Sequence, residues 1–403
     1  MKIRRGKLVI HYDTQTNKIS KLYLNDAELS ITITSFLIKL DKNQGHPFSS
    51  QIQYLFPKEI KEICFETFDA IKEIKNIDNN DILAAYTASN LFESFSGYWR
   101  TELLSYGLLY TGVSFWQELI SITLDWESKN TPVTIHKGTP FFFLSYNCLH
   151  NGDRDSGFTY LHNAIVDDMK LPTLNYPDDA PAYLTATMSG NPNNFMIEDV
   201  SLLRLRLKNF ILEFTSEFSS FSINEFDQNF LREKDLSDVV LFFVFNFKVI
   251  FDQEKNTNRS ILQNNFSRLK ILDLFFNLGL IIDETIRYYA KKQSQIISGP
   301  MGNSVCWFLN HKYGLTQSQF QHLIGIKDLN LKNDSLDVTI PKLLSYIQNP
   351  PTGISKEIFV ILLTYNIRNH AGHNLDQQTI LTLQYDQMLR YMMNSLFLIV
   401  QHL

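Results

Sequence analysis

Four polar side chains in the last tenth of the chain have the residue types of a catalytic or anion-binding cluster: Arg368, Asn369, His370 and His373. They follow the run from Ile358 to Thr364, in which the only polar side-chain atom is the hydroxyl of the threonine. Such a run has no solvated face and predicts a helix that is buried on nearly all sides. Because an unpaired buried guanidinium costs several kcal/mol, Arg368 must have a partner or a use.

The helices that must position this cluster are predicted in the last third of the chain, Leu262 to Leu403. Apolar periodicity and helix-ending residues, among them Gly314 and the Pro350-Pro351 pair, delimit them. The predicted helices are Leu262 to Tyr289, Met301 to Tyr313, Ile340 to Gln348, Ser355 to Asn369 and Thr379 to His402. Together they predict an up-and-down bundle of four long helices with one short insert.

An Arg, four residues and a His, with Asn directly after the Arg, on a long apolar helix resembles the active-site motif of the HEPN superfamily. Its members are small all-α domains, and many are metal-independent ribonucleases in prokaryotic defence, toxin and RNA-decay systems. The sequence from Leu278 to Arg287 resembles the first helix of those domains, in which an acidic residue often faces the motif. We expect Glu284 to take that place. The resemblance therefore implies an endoribonuclease whose substrate is RNA.

Cleavage of RNA without a metal needs a base for the 2′-hydroxyl, an acid for the 5′-leaving oxygen and positive charge at the transition state. It leaves 2′,3′-cyclic phosphate ends. His373 can act as the base or the acid, and Arg368 can bind the phosphate through two hydrogen bonds. Asn369 can orient Arg368 or a phosphate oxygen, and His370 is a second acid or base candidate. No metal or other cofactor is expected.

HEPN ribonucleases pair two domains so that both motifs face one cleft. This chain has one such motif, so the resemblance implies a homodimer formed through the C-terminal domain.

Other interpretations of the cluster stay open at this point. Arg368 could form a structural salt bridge with Glu284, and His373 could interact with the helix C-terminus through its dipole. The chain would then be a non-catalytic all-α scaffold. A HEPN domain that binds a nucleotide or a protein partner without cleaving RNA is another alternative. A zinc site at His370 and His373 has no third ligand at a usual spacing.

The N-terminal part is predicted to be larger and mostly helical, with a few strands in residues 1 to 55. Alternating patterns predict strands at Lys7 to Tyr12, Lys21 to Leu24 and Ser30 to Leu40. Residues 56 to 251 are predicted to be helical, and we expect them to receive a protein or small-molecule trigger. Residues 139 to 170 resemble a single tetratricopeptide-type hairpin, although an ordinary helical hairpin is the simpler interpretation.

Three further features of the N-terminal part bear on function. Asp167 and Asp168 lie side by side and are predicted to be a solvated hairpin end, and His136 is taken as isolated. Ile197 to Phe218 is predicted to be a helix, and its basic residues to be solvated ends of that helix instead of a strip that binds RNA: Arg204, Arg206 and Lys208. Asp252 to Ser260 is predicted to be the linker before a catalytic domain at residues 262 to 403.

Composition limits the remaining classes. The formal net charge of −5 argues against a broad basic surface that coats nucleic acid, although one scissile phosphate needs only local positive charge. The three cysteines are widely separated and lack metal-ligand spacing, which fits a reducing compartment. No apolar signal core follows the basic N-terminus, and the longest apolar run, Val239 to Phe245, is too short to cross a bilayer. We therefore expect a cytoplasmic protein without a membrane partner.

Overall fold

A computed structural model describes residues 2–5, 8–13, 18–24, 27–28, 34, 37–38, 58–78, 91–170, 180–189, 197–256, 265–326, 329–331, 334–371, 380 and 383–402. The chain is mainly α-helical, as predicted. It divides into two compact units. Unit 1 comprises Met1–Ala186 and Gly190–Ile197, and unit 2 comprises Thr187–Ser189 and Glu198–Leu403.

Unit 1 contains a small antiparallel sheet at the start of the chain. Its strands are β1 (Lys2–Arg5), β2 (Leu8–Asp13), β3 (Lys18–Leu24) and β4 (Ala27–Glu28), paired in sequence order. The register places Ile3 opposite Ile10 and Val9 opposite Tyr23.

Ser30 to Leu40 was the third segment predicted to be a strand. The residues described in this segment do not form one. Only Thr34, Leu37 and Ile38 are described there, and these three residues are helical. Leu37 is fully buried, so packing has overridden the β-branched composition at these positions.

The described part of unit 1 after the sheet is mostly helical. Its helices are α1 (Lys58–Asp78), α2 (residues 91–98, continued by a π-turn at Trp99–Leu104), α3 (Leu109–Lys129), α4 (Gly138–His150), α5 (Arg154–Met169) and α6 (Pro181–Ala186). Helices α4 and α5 form the predicted hairpin. They approach closely at Gly157, where a methyl group would lie 2.6 Å from Leu149 Cγ. Asp153 caps α5 by accepting a hydrogen bond from Ser156 N at 3.1 Å.

The prediction that Asp167 and Asp168 are a solvated hairpin end is wrong, because both side chains are buried against the start of α4. Asp168 Oδ1 lies 2.8 Å from His136 Nε2, so His136 is not isolated either. Asp167 accepts hydrogen bonds from Lys137 N and from Lys170 Nζ, both at 2.6 Å. Burial raises the pKa of Asp168, and the hydrogen bond and charge of His136 offset part of that rise. These carboxylates fasten the end of α5 to the N-terminus of α4.

The described part of unit 2 consists of helices and a two-stranded hairpin. The helices are α7 (Ile197–Glu217), α8 (Ile223–Phe226), α9 (Ser237–Asn256), α10 (Asn265–Lys292), α11 (Met301–Tyr313), α12 (Gln317–Ile324), α13 (Leu336–Gln348), α14 (Lys356–Ala371) and α15 (Tyr385–Val400). A π-turn (Asp227–Leu231) and a 3₁₀ turn (Lys234–Leu236) join α8 to α9. The hairpin strands, β5 (Gly325–Ile326) and β6 (Leu329–Asn330), follow α12. Neither α12 nor the hairpin was predicted.

The division into units does not fall at the predicted linker from Asp252 to Ser260. Helix α9 continues through that segment as far as Asn256, and residues 257–264 lie outside the described part. The division lies instead near residues 187–198, so α7, α8 and α9 belong with the C-terminal helices. A polar run can be the solvated last turn of a helix as well as a linker, which explains the different boundary.

Aromatic rings join α7 and α8 to the last helix of unit 2. Phe397 on α15 lies 5.6 Å from Phe214, 5.8 Å from Phe221 and 5.4 Å from Phe226, measured between ring centroids. All four rings are buried. Aromatic pairs at these separations stabilise beyond the area that they bury. The helices before residue 262 therefore form part of the core that holds α15.

Helix α14 is the buried centre of unit 2, as its composition predicted. Every residue from Ile358 to Ile367 is buried, and the helix packs against α10, α11, α13 and α15. Two of its buried polar side chains form hydrogen bonds: Thr364 Oγ1 lies 2.7 Å from Ser395 Oγ, and Asn366 Nδ2 donates to Thr339 Oγ1.

The described part of the chain contains no helix that is both long and apolar enough to cross a membrane.

Candidate anion site at the end of helix α14

Arg368 lies at the point where the buried part of α14 ends, and a glycine on α10 makes room for it. A methyl group at Gly279 would lie 2.7 Å from Cβ and 2.8 Å from Cγ of Arg368, so no side chain fits at position 279 without a shift. The guanidinium lies over the ring of Phe276, with Cζ 5.5 Å from the ring centroid. This contact is a cation–π interaction, which orients the positive group without neutralising it.

The guanidinium of Arg368 has no ion-pair partner among the described residues. Its contacts are a long hydrogen bond from Nη1 to Asn369 Oδ1, at 3.5 Å, and the ring of Phe276. Its Nε is buried and donates no hydrogen bond within the described structure. A half-buried guanidinium without a carboxylate is costly and can bind an anion through two parallel hydrogen bonds. The geometry therefore suits a phosphate or a carboxylate of a ligand.

Glu284 is not next to this guanidinium. It is exposed, and its Oε1 lies 3.8 Å from Arg287 Nε on its own helix. Five residues separate it from Gly279, which turns its side chain about 140° away from the face that meets Arg368. The proposed structural salt bridge between Arg368 and Glu284 is therefore absent.

Asp283 is the acidic residue on the Gly279 face of α10, because it is one turn further along the helix. It is buried and accepts hydrogen bonds from Ser304 Oγ and from two nitrogens of Arg287, both at 3.2 Å. Arg287 also donates to the carbonyl oxygens of Ile297 and Gly299, at 2.7 and 2.8 Å. These contacts hold the connection between α10 and α11, and none of them involves Arg368.

Asn369 is half-buried beside Arg368, one turn after Tyr365 on α14. Burial raises the pKa of Tyr365, whereas the neighbouring Asn369 side chain and the charge of Arg368 lower it in part. The spacing of three and four residues to Arg368 and Asn369 was the available signal for Tyr365.

Of the two histidines in the cluster, the structure describes His370. His370 Nε2 lies 3.1 Å from the carbonyl oxygen of Leu331, so this nitrogen carries the proton and donates to the turn after β6. Two helical positions separate His370 from Arg368, which places the two side chains about 160° apart around α14. His370 therefore fixes the hairpin and is not brought to the guanidinium. His373 lies outside the described residues.

The basic residues of α7 do not form a strip. Arg204 makes a two-pronged ion pair with Asp227, Arg206 Cζ lies 4.4 Å from the ring centroid of Phe210, and Lys208 is exposed. Arg206 lines a groove of about 570 Å³ between α7 and α15. The groove is lined by Arg206, Phe210, Glu213, Asp386, Gln387, Leu389 and Arg390. Its two guanidiniums and two carboxylates balance, so a polyanion gains little charge attraction there.

Within the described part of the chain, no three His, Cys, Asp or Glu side chains are grouped so that they could hold a metal ion. Comparison of the chain with family models, with curated proteins and with solved structures finds no match. The side chains at the end of α14 are therefore the strongest candidates for a functional site.

Proposed function

We propose that this chain is a metal-independent endoribonuclease of the HEPN type, with Arg368 and His373 as its catalytic pair. The observation that carries the proposal is the guanidinium of Arg368, which has no carboxylate partner among the described residues and a buried, unpaired Nε. A phosphate in this position would supply the missing partner. His373 follows five residues later and supplies the base or the acid.

In this proposal, the helices around Arg368 are the bundle of a HEPN-type domain. Helices α10, α11, α14 and α15 are its four long members, and α13 is the short insert. Residues 262–403 are then the catalytic part of unit 2. Helices α7, α8 and α9 belong to the same unit. Unit 1 receives the trigger in this proposal, and the enzyme acts in the cytoplasm in a defence or toxin system.

The function is tested by incubating the purified chain with mixed cellular RNA in EDTA. We expect fragments that end in 2′,3′-cyclic phosphate, because the metal-free reaction uses the 2′-hydroxyl as nucleophile. Such ends resist a 3′-end ligation that requires a free hydroxyl. A cyclic phosphodiesterase should convert them to a phosphomonoester. Intact RNA over a range of pH from about 6 to 8, where an imidazole changes charge, would contradict the proposal.

One guanidinium is little charge for a dianionic transition state, so we propose that a second copy of the chain completes the cleft. A two-fold axis would bring Arg368, Asn369 and His373 of both protomers to one site. Sedimentation at micromolar concentration should then give about twice the chain mass of 46.9 kDa.

Mixing protomers tests the shared cleft. With a ninefold excess of Arg368→Ala protein, random exchange leaves only about a tenth of the active protomers in fully active dimers, so activity should fall by about tenfold. An equal excess of Arg206→Ala protein is the control and should leave activity unchanged, because Arg206 lies in the separate groove. A cleaving monomer whose specific activity is independent of concentration would contradict the shared cleft while leaving the proposed function intact.

A further inference from the structure

One face of helix α7 carries large apolar side chains that are exposed. Leu202, Leu205 and Leu212 have 37, 56 and 66% of their surface exposed. The opposite face of the helix is buried through Leu203, Leu207, Phe210, Ile211 and Phe214. Single exposed leucines are ordinary, whereas several in one row on one helix face indicate an interaction surface.

The residues of this exposed face repeat with the spacing of a two-stranded coiled coil. Leu202, Leu205, Asn209, Leu212 and Ser216 follow one another at intervals of three, four, three and four, and all five are exposed. This alternation is that of the a and d positions of a heptad, with Leu202 at a and Leu205 at d. The row therefore has the form of a seam into which a second helix can pack.

Asn209 is the polar member of this row and lies at an a position. In a pair of parallel helices that are in register, each a residue meets the same residue of the other helix, so two Asn209 amides can bond to each other. In an antiparallel pair, Asn209 would face a leucine, and its amide would be left without a partner. A single Asn at an a position is known to specify register and pairing. The pattern therefore favours a second, parallel copy of α7.

The residues that flank the row carry opposite charges at the offset that this pairing needs. Lys208 lies at a g position and Glu213 at an e position, and both are exposed. In a parallel coiled coil, a g residue lies beside the e residue that follows it by five positions on the other helix. Glu213 follows Lys208 by five residues, so two-fold symmetry makes this ion pair twice. The other flanking pair, Ser201 with Arg206, brings no like charges together.

We infer that the exposed face of α7 binds the same face of a second copy of this chain, in parallel and in register. We call this contact the α7 seam. The buried face of α7 already holds the helix in shape, so pairing costs no helix formation. The seam spans about two heptads, which suits weak and reversible association. It goes beyond the proposed ribonuclease function and is a different contact from the cleft proposed at Arg368.

Disulfide trapping of the full-length chain tests the α7 seam without RNA. Residues at d positions face their own counterparts, so Leu212→Cys should link two chains under mild oxidation. The control is Ile296→Cys, which places a thiol at a 93% exposed position outside α7. At micromolar concentration, we expect Leu212→Cys to link at least about tenfold faster than the control. Wild type gives the background from its own thiols, Cys64, Cys148 and Cys306.

A second cysteine variant determines the direction of the helices. In the parallel seam, Leu202→Cys and Leu212→Cys each link to themselves and not to each other. In an antiparallel pair, a mixture of the two would link faster than either alone, and this result would overturn the parallel seam. Linking of Leu212→Cys no faster than Ile296→Cys would overturn the seam altogether, and another molecule would then be the occupant of the leucine row.

Charge reversal tests the flanking pair in the Leu212→Cys background. Lys208→Glu places two glutamates side by side twice, so at low salt it should slow linking by about threefold or more. Glu213→Lys should act in the same direction, although Glu213 also lines the groove with Arg390. The double reversal should restore the parent rate. A double variant as slow as either single variant, or single variants at the parent rate, would overturn the inferred pairing.

The substituted positions are exposed, so the variants should keep the melting temperature of wild type, which is checked by circular dichroism. If the wild-type chain cleaves no RNA, the proposed function fails, and the linking rates still decide whether the α7 seam forms.

Discussion

Replacing Arg368 with alanine should lower RNA cleavage by at least about a hundredfold, the usual loss when one preorganised donor to a transition-state oxygen is removed. Melting temperature should hardly change. The reason is that Arg368 has no carboxylate partner among the described residues, so its removal leaves no buried charge behind. His373→Ala should cause a comparable loss of cleavage, because it removes the acid or the base.

Arg287→Ala is the comparison for the predicted melting temperature of Arg368→Ala. Arg287 holds the buried carboxylate of Asp283 and two backbone carbonyls, so its removal leaves an unpaired charge and should destabilise unit 2 by about 3 kcal/mol. Thermal unfolding of the two variants beside wild type makes the comparison. If Arg368→Ala unfolds as readily as Arg287→Ala, Arg368 is a structural residue and the scaffold interpretation gains.

The second large effect concerns where the chain can be cut. A fragment of residues 262–403 should aggregate or lose its cooperative unfolding, whereas a fragment of residues 187–403 should fold. The short fragment lacks Phe214, Phe221 and Phe226, whose rings lie within 6 Å of Phe397. Loss of large buried side chains costs about 3 to 5 kcal/mol each, which exceeds what a small bundle can spare.

Circular dichroism during heating, together with size-exclusion chromatography, distinguishes the two fragments. The long fragment should give one cooperative transition and a single peak. A soluble, cooperatively unfolding fragment of residues 262–403 would contradict the boundary near residues 187–198 and would favour the linker that the sequence suggested. In the full-length chain, Phe397→Ala should then have a small effect instead of a large one.

Much of unit 2 could be predicted from sequence, because local patterns decide it. The run Ile358 to Thr364 lacks a solvated face, and it is buried throughout. Gly314 was expected to end a helix, and it caps α11 with φ of 67°, in the left-handed region where glycine is favoured. In both cases the signal lies within one or two turns of the residue concerned.

What could not be predicted depends on contacts between distant residues. Choosing between Asp283 and Glu284 requires knowing which face of α10 meets α14, and Gly279 shows that face only when Arg368 is placed beside it. The pairing of His136 with Asp168 spans 32 positions and has no local pattern.

The empty position at Gly279 also constrains how this chain can change over generations. An alanine there would meet the stem of Arg368, so the two positions cannot vary independently. We expect selection for cleavage in a library randomised at positions 279 and 368 to return glycine with arginine. Selection for folding alone should also return alanine at 279, with a smaller residue at 368. The close packing of α10 against α14 would thus appear as a correlation between the residues at positions 279 and 368, which are 89 positions apart.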